Sequence, residues 1–417
     1  MVSIVIRKFR NGEIVKILNS FLGELTVSYE LDQVPTTSIT LPATEFEYFD
    51  RRNEVDIRIN DFQFCGLVDR VTLDKDAETF NVELSHIVSE HSLESVPMNY
   101  GVKQNTIPNI YPSLATTPLG RDLWNYTYQG TAITTPIEYL YSRQNKLEGI
   151  NATIEATEDV HWRVPICGCR DLEFGSFGEN SGLAVGYWDK PTSNIDLIGG
   201  IEVFRDFRST VNRAVVTSGN VGNGMGTMVL RDYLNGNLAQ DPLFKISQNN
   251  TGVNTEEVYV DINAPEYAPN NEYEYYIDDL ESIARENGQI YSSTFSYSDL
   301  YPIHDPTMPI SNSDRLNAQK ALYSRGKRHL IYSRRRDLLS MDTGAIPCTV
   351  NVGDRVLVSI SNQLLENMPC GNAVRTVLAV KDNLVMTRID KTFDANLMET
   401  NTITLDTDIR RLGFGGD

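Results

Sequence analysis

Short alternating segments dominate the first ninety residues. VSIVIRKF, GELTVSYEL, TSITLP, NEVDIRIN and FQFCGLVDRVTLD alternate apolar and polar positions, and Gly, Asn, Asp or Pro separate them. In EVDIRIN, for example, Val55, Ile57 and Ile59 fall on one face of a strand. Strands this short and this regularly punctuated predict a small barrel or sandwich over residues 1–95.

The pattern changes between about 96 and 200, where we expect an inserted α/β domain. The segment TTPIEYLYSRQNKL predicts a helix with Thr135 as N-cap, Pro136 in the first position and Glu138 in the third. The pieces ATIEAT, HWRVPICG and GLAVGYWD then predict strands of a small sheet.

A second β region is predicted over 201–221 and 328–417, from segments such as VNRAVVTSG, HLIYSRRRDLLSMDT, VGDRVLVSI and TNTITLDTDI. It is interrupted at 222–327 by an α/β insertion with two helices. The first is EYEYYIDDLESIARENG, which Gly288 ends. The second is SDRLNAQKALYSRGKRHLIY, which Ser313 or Asp314 caps.

The two β regions share one order of features: a polar-flanked strand, a turn, a Gly-containing entry and a longer strand pair. The expected fold class is therefore mainly β with α/β insertions, containing two similar small β-barrels per chain plus inserted α+β domains.

Composition places the chain among globular proteins. Of its 417 residues, 41% are hydrophobic and 22% charged, and the formal net charge is −19. No apolar stretch reaches the roughly 20 residues that a spanning helix needs, and the first residues lack the apolar core of a signal peptide. We expect a soluble protein made in the cytoplasm. An acidic chain is also a poor candidate for sequence-specific nucleic-acid binding.

The five cysteines form an odd and dilute set, so we expect free thiols rather than a disulfide framework; they are Cys65, Cys167, Cys169, Cys348 and Cys370. Cys167 and Cys169 lack a second pair at zinc-finger spacing.

Other motifs also fail the tests for catalytic or cofactor chemistry. His86 and His91 are five residues apart, not four as in zinc helices, and a solvated strand exit is expected there. The glycines between Gly219 and Gly226 do not fit the dinucleotide-binding pattern. We therefore predict no catalytic residue, no cofactor-binding residue, no metal ligand and no cofactor, although an acid/base hydrolase among the 56 carboxylates stays open.

The basic residues cluster between 325 and 336. Arg334 and Arg336 are expected on one face of a strand, with Arg335 on the other, and Arg325, Lys327 and Arg328 just before them. Pairing with acidic neighbours in a subunit contact is the favoured interpretation, and phosphate contact is the alternative.

Three passages resemble phage baseplate and tail hub proteins. The first, in the opening β unit, matches through Val55, Ile57, Ile59, Phe64, Gly66, Val68 and Val71. The second, which resembles the strand that opens the second barrel of that family, matches through Asn212, Arg213, Val215 and Gly219. The third matches through Ala318, Ala321, Leu322, Gly353, Asp354, Val356 and Val358.

The resemblance implies a homotrimer whose two barrels per chain form a ring of six. Such a ring adapts a sixfold tail tube or distal tail ring above to a threefold tail tip, fibre or spike below, with DNA passing through the bore. It also implies a place in the virion tail, a tape measure protein as a further contact, and no enzymatic activity. Some members carry C-terminal lysins, which we do not expect in a chain that ends shortly after its last strand.

Two alternatives stay open. One is a tail-associated peptidoglycan hydrolase or endopeptidase, because relatives of hub proteins are fused to such enzymes. The other is a carbohydrate-binding β module, suggested by 20 Tyr and 3 Trp, although aromatic residues more often fill cores and interfaces.

Overall fold

The computed structural model describes most of the chain. The residues outside the description are 10–11, 51–52, 94, 97–99, 111–123, 131, 135–136, 142–143, 158–159, 188–193, 207–209, 218–229, 231–240, 251–272, 298–299, 301–310, 335, 361–380 and 407–417. The glycines between 219 and 226, Arg335 and Cys370 lie among these positions.

Most described elements are strands. The first seven are β1 (Val2–Arg7), β2 (Ile14–Leu18), β3 (Leu22–Glu30), β4 (Thr36–Pro42), β5 (Glu54–Ile59), β6 (Phe62–Asp74) and β7 (Thr79–His86). The middle of the chain adds β8 (Tyr100–Asn105), β9 (Asn125–Gln129), β10 (Ile137–Tyr141), β11 (His161–Arg163), β12 (Asp171–Gly175), β13 (Asn180–Tyr187), β14 (Leu197–Asp206), β15 (Arg213–Thr217), β16 (Phe244–Asn250), β17 (Tyr273–Asp279) and β18 (Ser292–Ser296). The last four are β19 (Arg336–Thr343), β20 (Arg355–Ile360), β21 (Lys381–Phe393) and β22 (Glu399–Asp406).

The described α-helices are α1 (Ile107–Ile110), α2 (Lys146–Glu155), α3 (Leu280–Arg285) and α4 (Asn312–Tyr332). None of the helices in the described part of the chain has the length and apolar character needed to cross a membrane.

The early and late strands form one large sheet. Its order is β14–β19–β22–β21–β3–β4–β7–β6–β5–β1–β2, and β20 joins it by pairing with β21 and with β13. One continuous core of buried side chains covers this sheet and includes Ile39, Val82, Met341 and Ile403. The expectation of a mainly β chain is confirmed. Within the described residues, pairing closes neither half into a ring, so the two separate barrels remain a prediction.

The large sheet contains the same five-stranded unit twice. In the first repeat, defined as β3–β7, the pairs are β5·β6, β6·β7, β7·β4 and β4·β3. In the second repeat, defined as β14 and β19–β22, the pairs are β20·β21, β21·β22, β22·β19 and β19·β14. Both units also follow the same order along the chain. The sheet therefore has an internal repeat that the pairing establishes independently of the sequence.

The two repeats agree in register as well as in strand order. Aligning buried positions places Val55 and Ile57 on Val356 and Val358, and Val82 and Leu84 on Ile403 and Leu405. The long strand of each repeat, β6 or β21, has 13 residues. Each shifts register once against its hairpin partner, after Val68 in β6 and after Met386 in β21.

The repeats join through main-chain pairing. The second half of β21 pairs antiparallel with β3, from Arg388 opposite Glu30 to Phe393 opposite Leu25. Because β20 occupies the same edge of β21 only up to Val385, one strand serves both repeats. Consequently their relative position is set by a ladder of hydrogen bonds.

The insertions lie between equivalent strands. In the first repeat, residues 31–35 connect β3 to β4, whereas in the second the segment 207–335 connects β14 to β19. That long segment holds a four-stranded sheet in the order β16–β17–β15–β18, against which α4 packs. A three-stranded sheet, β11–β12–β9, and helix α2 belong to the earlier insertion.

Several local predictions are wrong. The expected helix after Pro136 is strand β10 at Ile137–Tyr141, and the helix begins at Lys146 with Asn145 as its cap. The alternating Ile137, Tyr139 and Tyr141 suit a strand, and Asn145 and Glu148 form the capping box instead.

The helix predicted over EYEYYIDDLESIARENG is a strand as far as Asp279, whose side chain then caps α3. Gly288, which was predicted to end the helix, does follow the end of α3 and has a φ of +83°. Helix α4 is capped by Ser311, not Ser313 or Asp314. It continues through HLIY as the predicted helix does, so the second assignment of HLIY, to the following strand, is wrong.

The strand of VNRAVVTSG, assigned from sequence to the second barrel, is β15, and it pairs with β17 and β18 in the insertion sheet. Its buried residues Ala214 and Val216 belong to the core beneath α4. Alternation predicted a strand correctly but does not specify its neighbours.

Candidate functional site: the polar face and the junction of the repeats

Eight strands of the large sheet carry a hydrophilic face opposite the core. Cross-strand registers align Asp342, Thr402, Asp390 and Ser28 in a row that continues through Thr36 to Ser85. We call the full set the polar face; its members are Thr26, Ser28, Glu30, Thr36, Ser38, Thr40, Asp69, Arg70, Thr72, Asn81, Glu83, Ser85, Glu202, Ser340, Asp342, Arg388, Asp390, Thr392, Thr400, Thr402 and Thr404.

Hydroxyl and carboxylate groups on this face bond to each other across strands. The hydroxyl of Thr402 donates to Asp342 at 2.7 Å, and those of Thr26 and Thr392 lie 2.9 Å apart. Ser85 donates to Asp69. At the junction of the repeats the face continues through polar pairs, such as Asp390 opposite Ser28 and Thr392 opposite Thr26, so it is one surface rather than two.

The charge of the polar face is negative. Its two arginines have carboxylate partners on the face: Arg388 lies 2.9 Å from Asp390, and Arg70 lies 3.7 Å from Glu83. The hydrogen bond from Arg388 to Asp390 raises the pKa of that guanidinium, against an opposing effect of burial. Further carboxylates, including Glu30, Glu202 and Asp342, give the surface an acidic excess.

A buried ionic cluster joins the first repeat to both insertions. Asp32, just after β3, accepts a hydrogen bond from the backbone N–H of Trp162 at 2.8 Å. Its other oxygen lies 2.7 Å from Nδ1 of His161 and 3.1 Å from Arg328 of α4. Burial alone would raise the pKa of Asp32, but His161, Arg328 and the Trp162 N–H outweigh it and lower that pKa.

Beside this cluster lies a cavity of about 370 Å³. Asp32, Asn151, Glu155, Tyr297, Arg325, Arg328, His329 and Tyr332 are among its lining residues. Its charged groups pair with one another, as Arg325 does with Glu155 at 2.8 Å. We therefore interpret the cavity as a space between paired side chains of this cluster and not as a binding site.

A second ionic cluster anchors the early insertion to the second repeat. Arg163 of β11 donates to Asp354 at 2.7 Å and to the carbonyl of Val352 at 2.8 Å. It also bonds Glu173 at 2.6 Å, and its guanidinium lies 4.1 Å from the centre of the Phe177 ring. Since these side chains are mostly buried, the pairing fixes the geometry of the junction.

The basic cluster pairs with acidic residues of the same chain. Lys327 lies 2.6 Å from Asp241, Arg328 bonds Asp32, and Arg334 bonds Asp279 at 2.6 Å. The expected pairing with acidic residues is present, but these contacts are internal. Arg334 precedes β19, which begins at Arg336, so the prediction that the two share a strand face is wrong.

The two motif histidines are buried, which contradicts the expected solvated strand exit. Nδ1 of His86 accepts from the Val88 N–H at 3.2 Å, so Nε2 carries the proton and donates to the carbonyl of Gly168 at 3.1 Å. The His91 ring packs 4.6 Å from that of Trp124. Burial lowers the pKa of His86 to about 4.

The expectation of free thiols is wrong for four cysteines. Cys65 is bonded to Cys169, and Cys167 to Cys348. Asp56, Cys65 and Cys169 place donor atoms within 4.8 Å of one another, but the sulfurs are bonded to each other and Asp56 accepts from Arg58 and Gln63. Spacing along the chain could not show this pairing, because the partners are 104 and 181 residues apart.

The residues behind the family resemblance fall in three places. Val55, Ile57 and Phe64 are buried in the first repeat, and Val356 and Val358 in the second. Asn212 and Ala318 belong to the insertion. Sequence analysis missed the polar face, although its signal, runs of Thr and Ser alternating with buried residues, is present in TSITLP and TNTITLD.

No protein-family model and no curated protein matches the chain. Solved structures do. A tail protein from Neisseria meningitidis MC58 aligns with a TM-score of 0.55 at 10% identity, over 98% of this chain and 96% of that one. The 43 kDa tail protein of prophage MuSo2 from Shewanella oneidensis gives 0.53 at 10% identity, over 97% and 98%.

Prophage tail protein gp18 from Listeria monocytogenes EGD-e gives 0.53 at 10% identity, over 97% and 94%. All three are described as tail proteins and none as an enzyme. The alignments extend over nearly the whole of each chain, insertions included. This chain therefore has the fold of phage tail proteins, which confirms, for the fold, the resemblance to tail and baseplate hub proteins.

Proposed function

We propose that the protein is a structural component of a phage tail, a homotrimeric hub that adapts a sixfold tail tube or distal tail ring to a threefold tip, fibre or spike. The observation that carries this proposal is the internal repeat. A chain with two equivalent units presents six similar positions when three copies surround an axis, while the whole assembly repeats three times. One surface can thus match sixfold partners and another threefold partners.

The edges of the repeats support a ring. Inside the chain, the second half of β21 pairs with β3. At the equivalent positions of the other repeat, the second half of β6 corresponds to that of β21, and β14 corresponds to β3. Among the described strands, β14 pairs with β19 alone. The pairing of β6 with β5 ends at Leu67, and beyond that residue β6 pairs, within the described residues, with β7 alone. Each copy thus offers both halves of a contact that it already makes once internally.

The internal pairing also predicts the register between copies. Arg388 faces Glu30 within the chain, and the equivalent positions are Arg70 and Asp206, again a cation and an acid. Asp390 faces Ser28, and the equivalent pair is Thr72 and Phe204. Both Thr72 and Phe204 are exposed in the single chain. Edge pairing between copies would place them side by side on the polar face.

The polar face supports the role of a DNA conduit. If copies continue the sheet edge to edge, their polar faces continue as well and surround the axis. An acidic and hydroxyl-rich wall repels the DNA backbone and offers few cations that would retain it. We therefore assign the polar face to the bore of the ring.

Cysteine cross-linking tests the ring and its register together. In a T72C/F204C variant, mild oxidation should give covalent trimers in non-reducing gels, because each copy links to both neighbours. Opposite residues of paired strands lie about 4.5–5.5 Å apart between Cα atoms, which suits a disulfide. The matched control is T72C/I198C, whose second cysteine lies on the same strand but out of register. Peptide mapping distinguishes these links from those of native cysteines.

Mass photometry of the unmodified protein should show a trimer at sufficient concentration. A chain that remains monomeric, both alone and with its tail partners, would contradict the proposal. Equal cross-linking in the two cysteine variants would contradict the register but leave the trimer standing.

A further inference from the structure

The loop at residues 165–170 lies between the two repeats and contacts both. Toward the second repeat, the N–H of Ile166 donates to Oδ1 of Asn351 at 2.7 Å. Toward the first repeat, the carbonyl of Gly168 accepts from His86 at 3.1 Å. A tight turn, with the Gly168 N–H bonded to the carbonyl of Pro165 at 2.9 Å, holds the loop in shape. All three are hydrogen bonds between nitrogen and oxygen atoms, and none involves a sulfur.

The same loop carries two cysteines that point to opposite repeats. Cys169 meets Cys65 of β6, with Cα atoms 5.1 Å apart. Cys167 meets Cys348, which precedes β20 of the second repeat, with Cα atoms 5.9 Å apart. Cys167 has φ of +70°, a backbone conformation uncommon for a residue with a Cβ, and it lets neighbouring side chains diverge within a short turn.

We propose that Cys167-Gly168-Cys169 is a redox clamp that closes in the folded chain and covalently connects the first repeat to the second. The polar contacts of the loop bring each thiol to its partner before oxidation. The disulfides therefore follow folding rather than direct it. This inference concerns the chain alone and does not depend on its proposed place in the tail.

Closure needs an oxidant, and a low-molecular-weight disulfide such as oxidised glutathione can serve as one. A cysteine thiolate attacks the small disulfide, releasing one glutathione thiol and forming a mixed disulfide. The facing protein thiolate then displaces the second glutathione. For each bond formed, two protein thiols are oxidised and one oxidised glutathione is reduced to two thiols, so both bonds consume two equivalents.

Peptide mapping gives a direct readout. Protein purified under reducing conditions is treated with oxidised glutathione, blocked with N-ethylmaleimide and digested with trypsin without reduction. Trypsin leaves both loop cysteines on one peptide, residues 164–170. The expected product is a three-peptide species of 59–70, 164–170 and 337–355, with four of the five thiols unreactive. More than one reactive thiol after oxidation, or links to other peptides, would overturn the proposal.

Single variants test the partner choice. C169S should retain only the link from 164–170 to 337–355, and C167S only the link to 59–70. Exchange of partners in either variant would contradict the clamp. Because these variants can be less stable, the main comparison is wild-type protein, reduced against oxidised. Oxidation should raise the thermal midpoint by several degrees, and a C65S/C348S variant should show no such shift.

A metal held by the same thiols is the competing outcome. Native mass spectrometry of the reduced protein in zinc chloride addresses it. A stoichiometric zinc adduct that prevents oxidation of Cys65 and Cys169 would replace the clamp with a metal site, whereas bare protein that oxidises as above supports the clamp.

Discussion

Asp69 and Thr387 occupy the same position in the two repeats: each is the extra residue of a β-bulge in the long strand of its unit. Val68 and Arg70 face consecutive residues of β7, and Met386 and Arg388 face consecutive residues of β22. A bulge bends a strand and increases its twist. In both units it lies where the long strand leaves its first neighbour, β5 or β20, and continues beyond it.

The charge of the polar face should determine whether the protein retains DNA. We expect the unmodified protein not to shift a DNA duplex in about 50 mM salt. A variant with Glu30, Glu83 and Glu202 replaced by Lys should bind DNA, and its affinity should fall steeply as salt rises, because bound cations release counterions from DNA. Gel shift or fluorescence anisotropy measures this.

The control for that experiment changes three exposed acids outside the polar face, Glu47, Asp50 and Asp61, to Lys. The net charge of the chain changes equally in both variants. Equal DNA binding by the two would show that net charge alone, and not this surface, sets the response.

Burial of His86 should make stability depend on pH. Its pKa is about 4 in the folded chain, below the 6.5 of an exposed histidine, because burial disfavours the charged ring, with the Gly168 carbonyl opposing this and Arg170 adding to it. As pH falls from 6.5 to about 4, the unfolded chain binds a proton that the folded chain does not. Stability should therefore fall over this window, by at most about 3 kcal/mol.

The measurement is urea unfolding at several pH values for the wild type and H86Q. Glutamine can both accept and donate a hydrogen bond but does not titrate here. The variant should lose part of the stability at neutral pH and show a smaller decrease between pH 6.5 and 4. An identical pH profile in both proteins would rule out His86 as the source.

Loss of Arg163 should be costly. Arg163→Ala would leave Asp354 and Glu173 without their buried cation and would open space beside Phe177. Removing one partner of a buried ion pair typically costs about 3–5 kcal/mol. Arg163→Lys should recover part of this, since it keeps the charge but not the fork of donors. Chemical denaturation gives the free energy of unfolding for each variant.

Lys8→Ala serves as the control, because the Lys8–Glu13 pair is more than half exposed. Such pairs contribute less than about 1 kcal/mol. If Arg163→Ala were as mild as Lys8→Ala, the junction would not depend on this cluster.

Gly326 sits within α4 where the helix touches the insertion sheet. A Cβ there would lie 2.7 Å from both Ile277 Cδ1 and Val216 Cγ1, side chains with no exposed surface. Alanine favours helix by about 1 kcal/mol over glycine, whereas overpacking costs about 1–3 kcal/mol. We expect Gly326→Ala to destabilise the protein by up to about 2 kcal/mol.

For comparison, a Cβ at Gly200 of β14 would meet no atom within 4 Å. Gly200→Ala should therefore change thermal stability little. A more stable Gly326→Ala protein would mean that α4 moves away from the sheet at small cost.

The sequence predicted the strands of the repeats well because one face of each is buried. Val55, Ile57 and Ile59 alternate with polar residues, and the structure buries all three. Short aromatic segments gave wrong predictions: IEYLY and YEYYIDD fit a helical period over a few residues, yet both are strands. The local sequence fits a helix and a strand almost equally well, and pairing with neighbouring strands determines which one forms.

The junction could not be predicted, because its partners are distant in sequence. Asp32 and Arg328 are 296 residues apart, and Arg163 and Asp354 are 191 residues apart. A single sequence shows which residues are charged but not which ones become neighbours. Burial of the two histidines and pairing of the cysteines were missed for the same reason.

The β21·β3 pairing has a mechanical consequence. Its six residue pairs run from Arg388 opposite Glu30 to Phe393 opposite Leu25, and their hydrogen bonds lie across the strands. A pull along the strand direction would load all of these bonds in shear at once, whereas a flexible linker would simply extend. A tension applied to one half of the molecule would then reach the other half with little loss, and a hinge between the two halves would require the whole ladder to break.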